Sequence, residues 1–307
     1  MDMERKILAS LAVATASAVL IAYLTRRKSK SSQPSPQPAP KPPSPKFVPK
    51  RGPNASSTKL LNAKHHLLRD FVVDRIMKRR GAVHIFETLP PKNTALVVID
   101  MQRAFLQEGA PVEVPLGRGC VDSINVLAKA VRQRGGRVIW IAHANNVLGE
   151  GVNDWAAFRC SFVSGVNRTR YVESLSPGAK GQQIWPDLEV KPEQGDVVLQ
   201  KNRYSALISG SSQLERVCRS AGLTTLLLAG VKTDVCVEST GRDAMMLDFS
   251  AVIVDDCCAS LSVEEHRESC ETFIQQFGDV MTTAEVVEAL DRGAAQGAAT
   301  TPKSAIA

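Results

Sequence analysis

Five short apolar runs punctuate the chain between residues 94 and 255: ThrAlaLeuValValIle (94–99), ArgValIleTrpIleAla (137–142), AspValValLeuGln (196–200), ThrThrLeuLeuLeuAla (224–229) and AlaValIleValAsp (251–255). Their near-continuous hydrophobicity predicts strands buried on both faces, and a further short strand is expected near Val280. Between them, 119–134, 211–221, 235–247 and 263–277 carry apolar residues at helical spacing. Strands alternating with helices predict an α/β domain over 84–292, a doubly wound, mostly parallel six-stranded sheet flanked by helices.

Upstream the pattern changes. Lys59 to Arg80 reads as a helix with Leu60, Leu61, Leu67, Leu68, Phe71, Val72 and Met77 near one face, a helical extension over 59–83 that packs on the body or a second subunit. His65 and His66 are adjacent, so they point apart and read as surface residues rather than ligands. Residues 29–58 are Pro/Ser/Lys-rich and predict an extended, semi-stiff spacer, disordered and without a core. The small-residue tail 293–307 is expected to be disordered too.

Ile7 to Leu24 is an uncharged run of 18 residues, long enough as a helix to span about 27 Å. Arg26, Arg27, Lys28 and Lys30 follow it, so residues 1–28 read as a single-pass membrane anchor with a basic flank. The positive-inside rule then puts the body in the cytosol, with an organelle outer membrane as one location. A cleaved signal peptide is the competing reading, but the segment lacks a clearly basic start and a small-residue cleavage region.

Charge agrees with that division. The net charge is +7, yet residues 1–58 hold ten Lys/Arg against two acids, leaving 28 against 29 for the rest. The basic excess belongs to the N-terminal arm, and no nucleic-acid groove is expected in the body. Seven cysteines, at 120, 160, 218, 236, 257, 258 and 270, show neither a CxxC pair nor zinc-type spacing. That scatter fits a reducing compartment.

The candidate chemistry lies where strands end. The first run closes on Asp100, the second on His143 and the third on Lys201. The fourth runs through Gly230-Val231-Lys232-Thr233-Asp234-Val235-Cys236 into a helix. In a doubly wound sheet these carboxyl ends share one rim, so Asp, Lys and Cys converge there. A thiol at a helix N-terminus beside an ammonium is expected to have a lowered pKa, and Asp100 is placed to move its proton. Each residue alone has a plainer reading: a packed cysteine, a capping aspartate, a solvated lysine.

The longer motifs decide between these. VVIDMQ (97–102), QKNRYSA (200–206), GSSQLE (210–215), AGVKTDVCVESTGRDAMM (229–246) and FGDVMTT (277–283) resemble, in order and spacing, the signatures of isochorismatase-like hydrolases over about residues 92–291. The resemblance implies an Asp100–Lys201–Cys236 triad and a non-proline cis peptide at Val231–Lys232. It also implies an oxyanion hole from the backbone N–H groups of Lys232 and Cys236, and assembly as a homo-oligomer, a dimer or tetramer. The stretch after the second strand reads HisAlaAsnAsnVal, without the Asp-x-His that holds a metal in nicotinamidases. No catalytic metal and no cofactor are therefore expected.

Within the family, RYSA and CVESTGRDA look most like the ureidoacrylate, biuret and N-carbamoyl amidohydrolase branch. A small amide or ureido substrate cleaved through an acyl-enzyme on Cys236 is the expected reaction. Gln102, His143, Trp155 and Tyr204 are candidate substrate-binding residues, with Phe158 beside them; Trp155 and Phe158 read equally as loop packing or subunit contacts. Arg242 and Asp243 read as structural partners, and Cys257 and Cys258 as packing. Three positions depart from the family pattern: Leu207 where Phe is usual, Gly241 where Ala is usual, and Lys232 where a small residue or Leu is commoner. Lys232 either reshapes the pocket toward acidic substrates or points to solvent. A lapsed enzyme kept as a membrane-tethered binding or scaffold protein is the second reading, and a hydrolase of another family substrate, isochorismate or nicotinamide, is the further alternative. A nucleotide-binding dehydrogenase is excluded because no GxGxxG follows the first strand.

Overall fold

The computed structural model describes residues 67–145 and 155–300. The apolar run 7–24, the Pro/Ser-rich stretch, His65 and His66, and residues 301–307 lie outside them.

Six strands, β1 (Thr94–Ile99), β2 (Arg137–His143), β3 (Val197–Lys201), β4 (Thr225–Val231), β5 (Ser250–Ala259) and β6 (Asp279–Met281), form one sheet in the order β3-β2-β1-β4-β5-β6. Every pairing is parallel, so the expected mostly parallel sheet is parallel throughout. The order reverses between β1 and β4, and this switch point opens a crevice at the carboxyl ends of the strands.

The alternation of side chains across the sheet divides the core. Ala95, Val97 and Ile99 of β1 face one layer with Val72, Val73, Ile76, Leu214, Cys218, Phe273 and Ile274. Leu96 and Val98 face the other with Ile124, Leu127, Val131, Val286 and Leu290. These layers come from helices α1 (Asp70–Arg80), α3 (Val121–Gln133), α6 (Leu214–Ser220), α7 (Glu238–Met246), α8 (Val263–Gln276) and α9 (Thr283–Thr300). A short α2 (Arg103–Leu106) follows β1, and α4 (Ala156–Ser161) and α5 (Gly165–Ser174) lie between β2 and β3. All six residues of β1 are buried because both faces are covered, which is why that strand shows no polar alternation.

Two expectations need correction. The helix expected from Lys59 begins, within the described residues, only at Asp70. Its start is set by tertiary contact: the Arg69 backbone N–H donates to Glu271 Oε1 at 2.8 Å, and its guanidinium closes on the same carboxylate. It ends on Gly81 in the left-handed region, whose N–H reaches Met77 O. The tail expected to be unstructured from 293 is helical to Thr300. Alanine favours helix, and Gly293 lets α9 press against the Leu89 carbonyl, where any Cβ would collide. The sequence reading also left out α4, which is only six residues long, and α5, which is mostly polar.

Candidate active site

β1 delivers Asp100 into the crevice by an unusual backbone step. Its N–H still joins the ladder, donating to Ile141 O at 2.8 Å, but its φ is +57°. A non-glycine residue in that region is strained, and such strain collects where side-chain aim matters. Next to it, Gly230 of β4 approaches Ile99 so closely that a Cβ would strike that residue's backbone. With φ at +109°, Gly230 brings the β4 rim against β1.

Lys201, the last residue of β3, is fully buried. Its ammonium lies 2.8 Å from Asp100 Oδ2, 3.5 Å from Cys236 Sγ, 2.9 Å from Arg203 O and 3.4 Å from His143 Nδ1. The Val231–Lys232 peptide is cis, and Thr233–Val237 follows as a single wide helical turn that leads into α7. Cys236 sits in that turn with 7% of its surface exposed, while Asp100 and Lys201 have none. Residues 100, 201 and 236, distant in the chain, thus form one buried cluster at the switch point.

An isochorismatase domain profile matches residues 94–285. The chain belongs to the isochorismatase family. A probable inactive nicotinamidase of Arabidopsis thaliana is 33% identical over 176 residues, covering 57% of this chain and 85% of that protein. A ureidoacrylate amidohydrolase of an Enterobacter species is 30% identical over 215 residues, covering 66% of this chain and 91% of that protein. A cysteine hydrolase from Pseudomonas syringae pv. phaseolicola shares the fold, with a TM-score of 0.59 at 24% identity, covering 68% of this chain and 98% of that one.

The electrostatics of this isochorismatase-family site differ from one expectation. Burial, and then the charge of Asp100, raise the Cys236 thiol, and Lys201 only partly offsets them. The lowering expected from the helix start and the ammonium is therefore overturned: in a dry cleft, loss of hydration outweighs both. Burial also raises Asp100, against the pull of the Lys201 ammonium 2.8 Å from its Oδ2. Burial alone would lower Lys201, but the charge of Asp100 overcomes it and holds the ammonium above its ordinary value. The cluster is thus a neutral thiol beside a carboxylate that is a better base than usual, with a fixed cation between them.

His143 is buried, and desolvation followed by the Lys201 charge pushes its pKa well down, so the ring is neutral. Because Lys201 faces Nδ1 as a donor, the proton belongs on Nε2, which points to the Tyr171 hydroxyl at 3.1 Å. Trp155 stacks on Phe158 at 4.7 Å between centroids, and Tyr204 meets both edge-on at 4.8 and 5.8 Å. These rings, with Tyr171 against Phe158 at 5.5 Å, form an aromatic wall beside the cluster. Tyr171 was not anticipated: it is the one buried residue of a polar helix, and no local pattern marks it.

Gln102 does something other than line a pocket. Its amide donates to His143 O at 3.0 Å and to Gln182 O at 2.7 Å, and accepts from His143 N at 2.8 Å. It fastens the end of β1 to the end of β2. Lys232 lies 3.5 Å from Asp234, which shares its charge locally. Gly241 has a packing cause: a Cβ there would come within 2.5 Å of Phe273 and 2.8 Å of Leu228. Leu207 is buried in the core layer that holds α6. Arg242 pairs with Glu238 one turn earlier, Nε at 2.9 Å from Oε1.

Proposed function

We propose that this chain is a cysteine-dependent hydrolase that cleaves a C–N bond of a small amide or ureido compound through an acyl-enzyme on Cys236. The observation that carries it is the fully buried Lys201 ammonium lying between Asp100 and Cys236, at 2.8 and 3.5 Å. A buried ion pair beside a thiol is costly to build for stability alone.

In this reading Asp100 takes the Sγ proton as sulfur attacks the substrate carbonyl. One negative charge thus passes from the carboxylate to the oxyanion, while Lys201 stays cationic beside the site. The tetrahedral oxyanion rests on the N–H groups of Lys232 and Cys236. Asp100 returns the proton to the leaving nitrogen, and ammonia or an amine departs. Water then adds to the thioester, giving its proton to Asp100, and the collapse frees the acid and restores the thiol. The aromatic wall of Trp155, Phe158 and Tyr204 covers the substrate. Support for the ureido class comes from the named activity of the Enterobacter relative and from the RYSA and CVESTGRDA blocks.

The test is ammonia release by the full-length protein on a panel of ureido, carbamoyl and simple amides, beside Cys236→Ser. Release that depends on Cys236 supports the proposal and names the substrate class. A second reading, a lapsed enzyme retained as a binding protein, is favoured by the name of the Arabidopsis relative. Silence across the panel with an alkylation-resistant Cys236 selects it.

The same proposal includes attachment through residues 1–28 and assembly as a dimer or tetramer, which would multiply the anchors per particle. The uncharged run 7–24 and its basic flank support attachment. Among the described residues, no helix is long and apolar enough to cross a membrane. Membrane pelleting that survives alkaline washing and is lost on removing residues 1–28 is the expected result; light scattering reads the assembly.

A further inference from the structure

The turn that carries Cys236 is held from behind. β5 breaks register with β4 between Leu228 and Gly230: Leu228 pairs with Ile253, but Gly230 pairs with Cys258. The extra residues form a bulge, and bulges re-aim side chains. Here they aim two neighbouring aspartates differently. Asp256 accepts from Thr283 N and Oγ1 at 2.8 and 2.9 Å and so starts α9. Asp255 turns to His266, with Oδ1 2.8 Å from Nε2.

His266 is mounted rigidly. It lies in the first turn of α8, whose start is locked by reciprocal hydrogen bonds between Ser262 and Glu265. Its other ring nitrogen, Nδ1, is 2.8 Å from the hydroxyl of Thr233. A carboxylate only accepts, so Nε2 carries a proton toward Asp255, and in the tautomer with that single ring proton Nδ1 accepts from the Thr233 hydroxyl. Thr233 is wholly buried between the cis peptide and Cys236. The next residue is tied to the same corner: Ser260 Oγ donates to Asp234 Oδ1 at 2.6 Å.

We infer that His266 is a positioning residue which, oriented by Asp255, holds Thr233 and thereby sets the aim of the Lys232 and Cys236 backbone N–H groups. This rests on the proposed hydrolase reading for its chemical consequence, though not for the mechanical link. Asp255, His266 and Cys270 also bring potential metal ligands within 4.8 Å of one another. Both ring nitrogens are already engaged at 2.8 Å, however, and Cys270 Sγ stands 3.9 Å from Nε2. A cation would have to displace Asp255 from the ring, so the hydrogen-bonded chain is the arrangement that the distances favour.

The test uses the full-length protein and four variants: Thr233→Val, which keeps shape but loses the hydroxyl; Thr233→Ser, which restores it; His266→Gln; and the Thr233→Val/His266→Gln double variant. Hydrogen exchange of the segment 232–237 is read first, because it needs no substrate. Faster exchange there in Thr233→Val and His266→Gln, reversed in Thr233→Ser, is expected, with the double variant no worse than the singles because both cut one link. Unchanged exchange, or additive losses spread over the domain, overturns the inference.

On the substrate found by the ammonia assay, kcat should fall about 10- to 100-fold with KM within about twofold, while iodoacetamide alkylation of Cys236 stays near the parent rate. Equal loss of alkylation and turnover would mean that the turn has collapsed, and would overturn the positioning role. If the parent protein turns over nothing, the hydrolase reading fails and exchange alone decides the link. Stoichiometric Co2+ uptake with a thiolate–cobalt absorption band, abolished in Cys270→Ala, would show the ring held by a cation and overturn it as well.

Discussion

The floor and the wall of the crevice are built on different principles. Asp100, Lys201 and Cys236 come from strand ends and the turn after β4, are buried, and meet through an ion pair at 2.8 Å and a hydrogen bond to sulfur at 3.5 Å. Trp155, Phe158 and Tyr204 come from the α4 region and the loop after β3, are partly exposed, and meet only by ring packing at 4.7 to 5.8 Å. The floor tolerates no repositioning, since a misplaced buried charge is costly. The wall can shift, because stacking is weakly directional and rings slide at little cost. Under the proposed function, reaction chemistry falls to the buried region and substrate choice to the partly exposed one.

Breaking the floor should have the largest effect. Cys236→Ala is expected to remove at least about 10⁴-fold in kcat, measured by ammonia release, without lowering the melting temperature. Asp100→Asn should cost about 10²- to 10⁴-fold by removing the proton acceptor. The pH profile carries the sign. Asp100 must be ionised to act, and burial raises its pKa, so activity falls on the acid side at a pH above the ordinary carboxylate range of about 4. An acid limb at or below that range would place the essential base elsewhere.

The joint beneath the floor comes next. Gln102→Leu strands the His143 backbone N–H and C=O, and should lower unfolding stability by about 2 kcal/mol in denaturant titration. Breaking the wall should be milder and of another kind. Trp155→Ala is expected to raise KM about tenfold, roughly 1.4 kcal/mol, with kcat changed far less. A kcat loss as large as that of Asp100→Asn would dissolve the distinction between the two regions. The smallest change is Gly241→Ala, which overfills the space beside Phe273 and should cost about 1 kcal/mol in stability with the chemistry intact.

Legibility follows the same line. The floor could be read because each of its residues ends a continuous apolar run, and a parallel sheet brings such ends to one rim. The wall was half legible. Trp155, Phe158 and Tyr204 stood out as aromatics near the motifs, but Tyr171 and the helices α4 and α5 carry no periodic signal. Gln102 looked like a pocket residue because it follows the strand end, and only the fold shows its amide spent on backbone. The Asp255–His266–Thr233 chain was invisible, because it depends on a bulge where two strands lose register.

The sequence by itself determined the fold class and the ends of the first four strands to within two residues, since these follow from hydrophobic periodicity. Its motif blocks pointed to the family, whereas β5 runs to Ala259, beyond the expected end at Asp255. It also explains Asp100, Lys201 and Cys236 as one site, because parallel topology leaves few other arrangements. Tertiary structure alone decided the direction of the thiol pKa, the seat of Gln102, the start of α1, the helical tail and the reason for Gly241. Each of these depends on how much water is excluded and which distant atoms fill the space, and neither quantity is local in the chain.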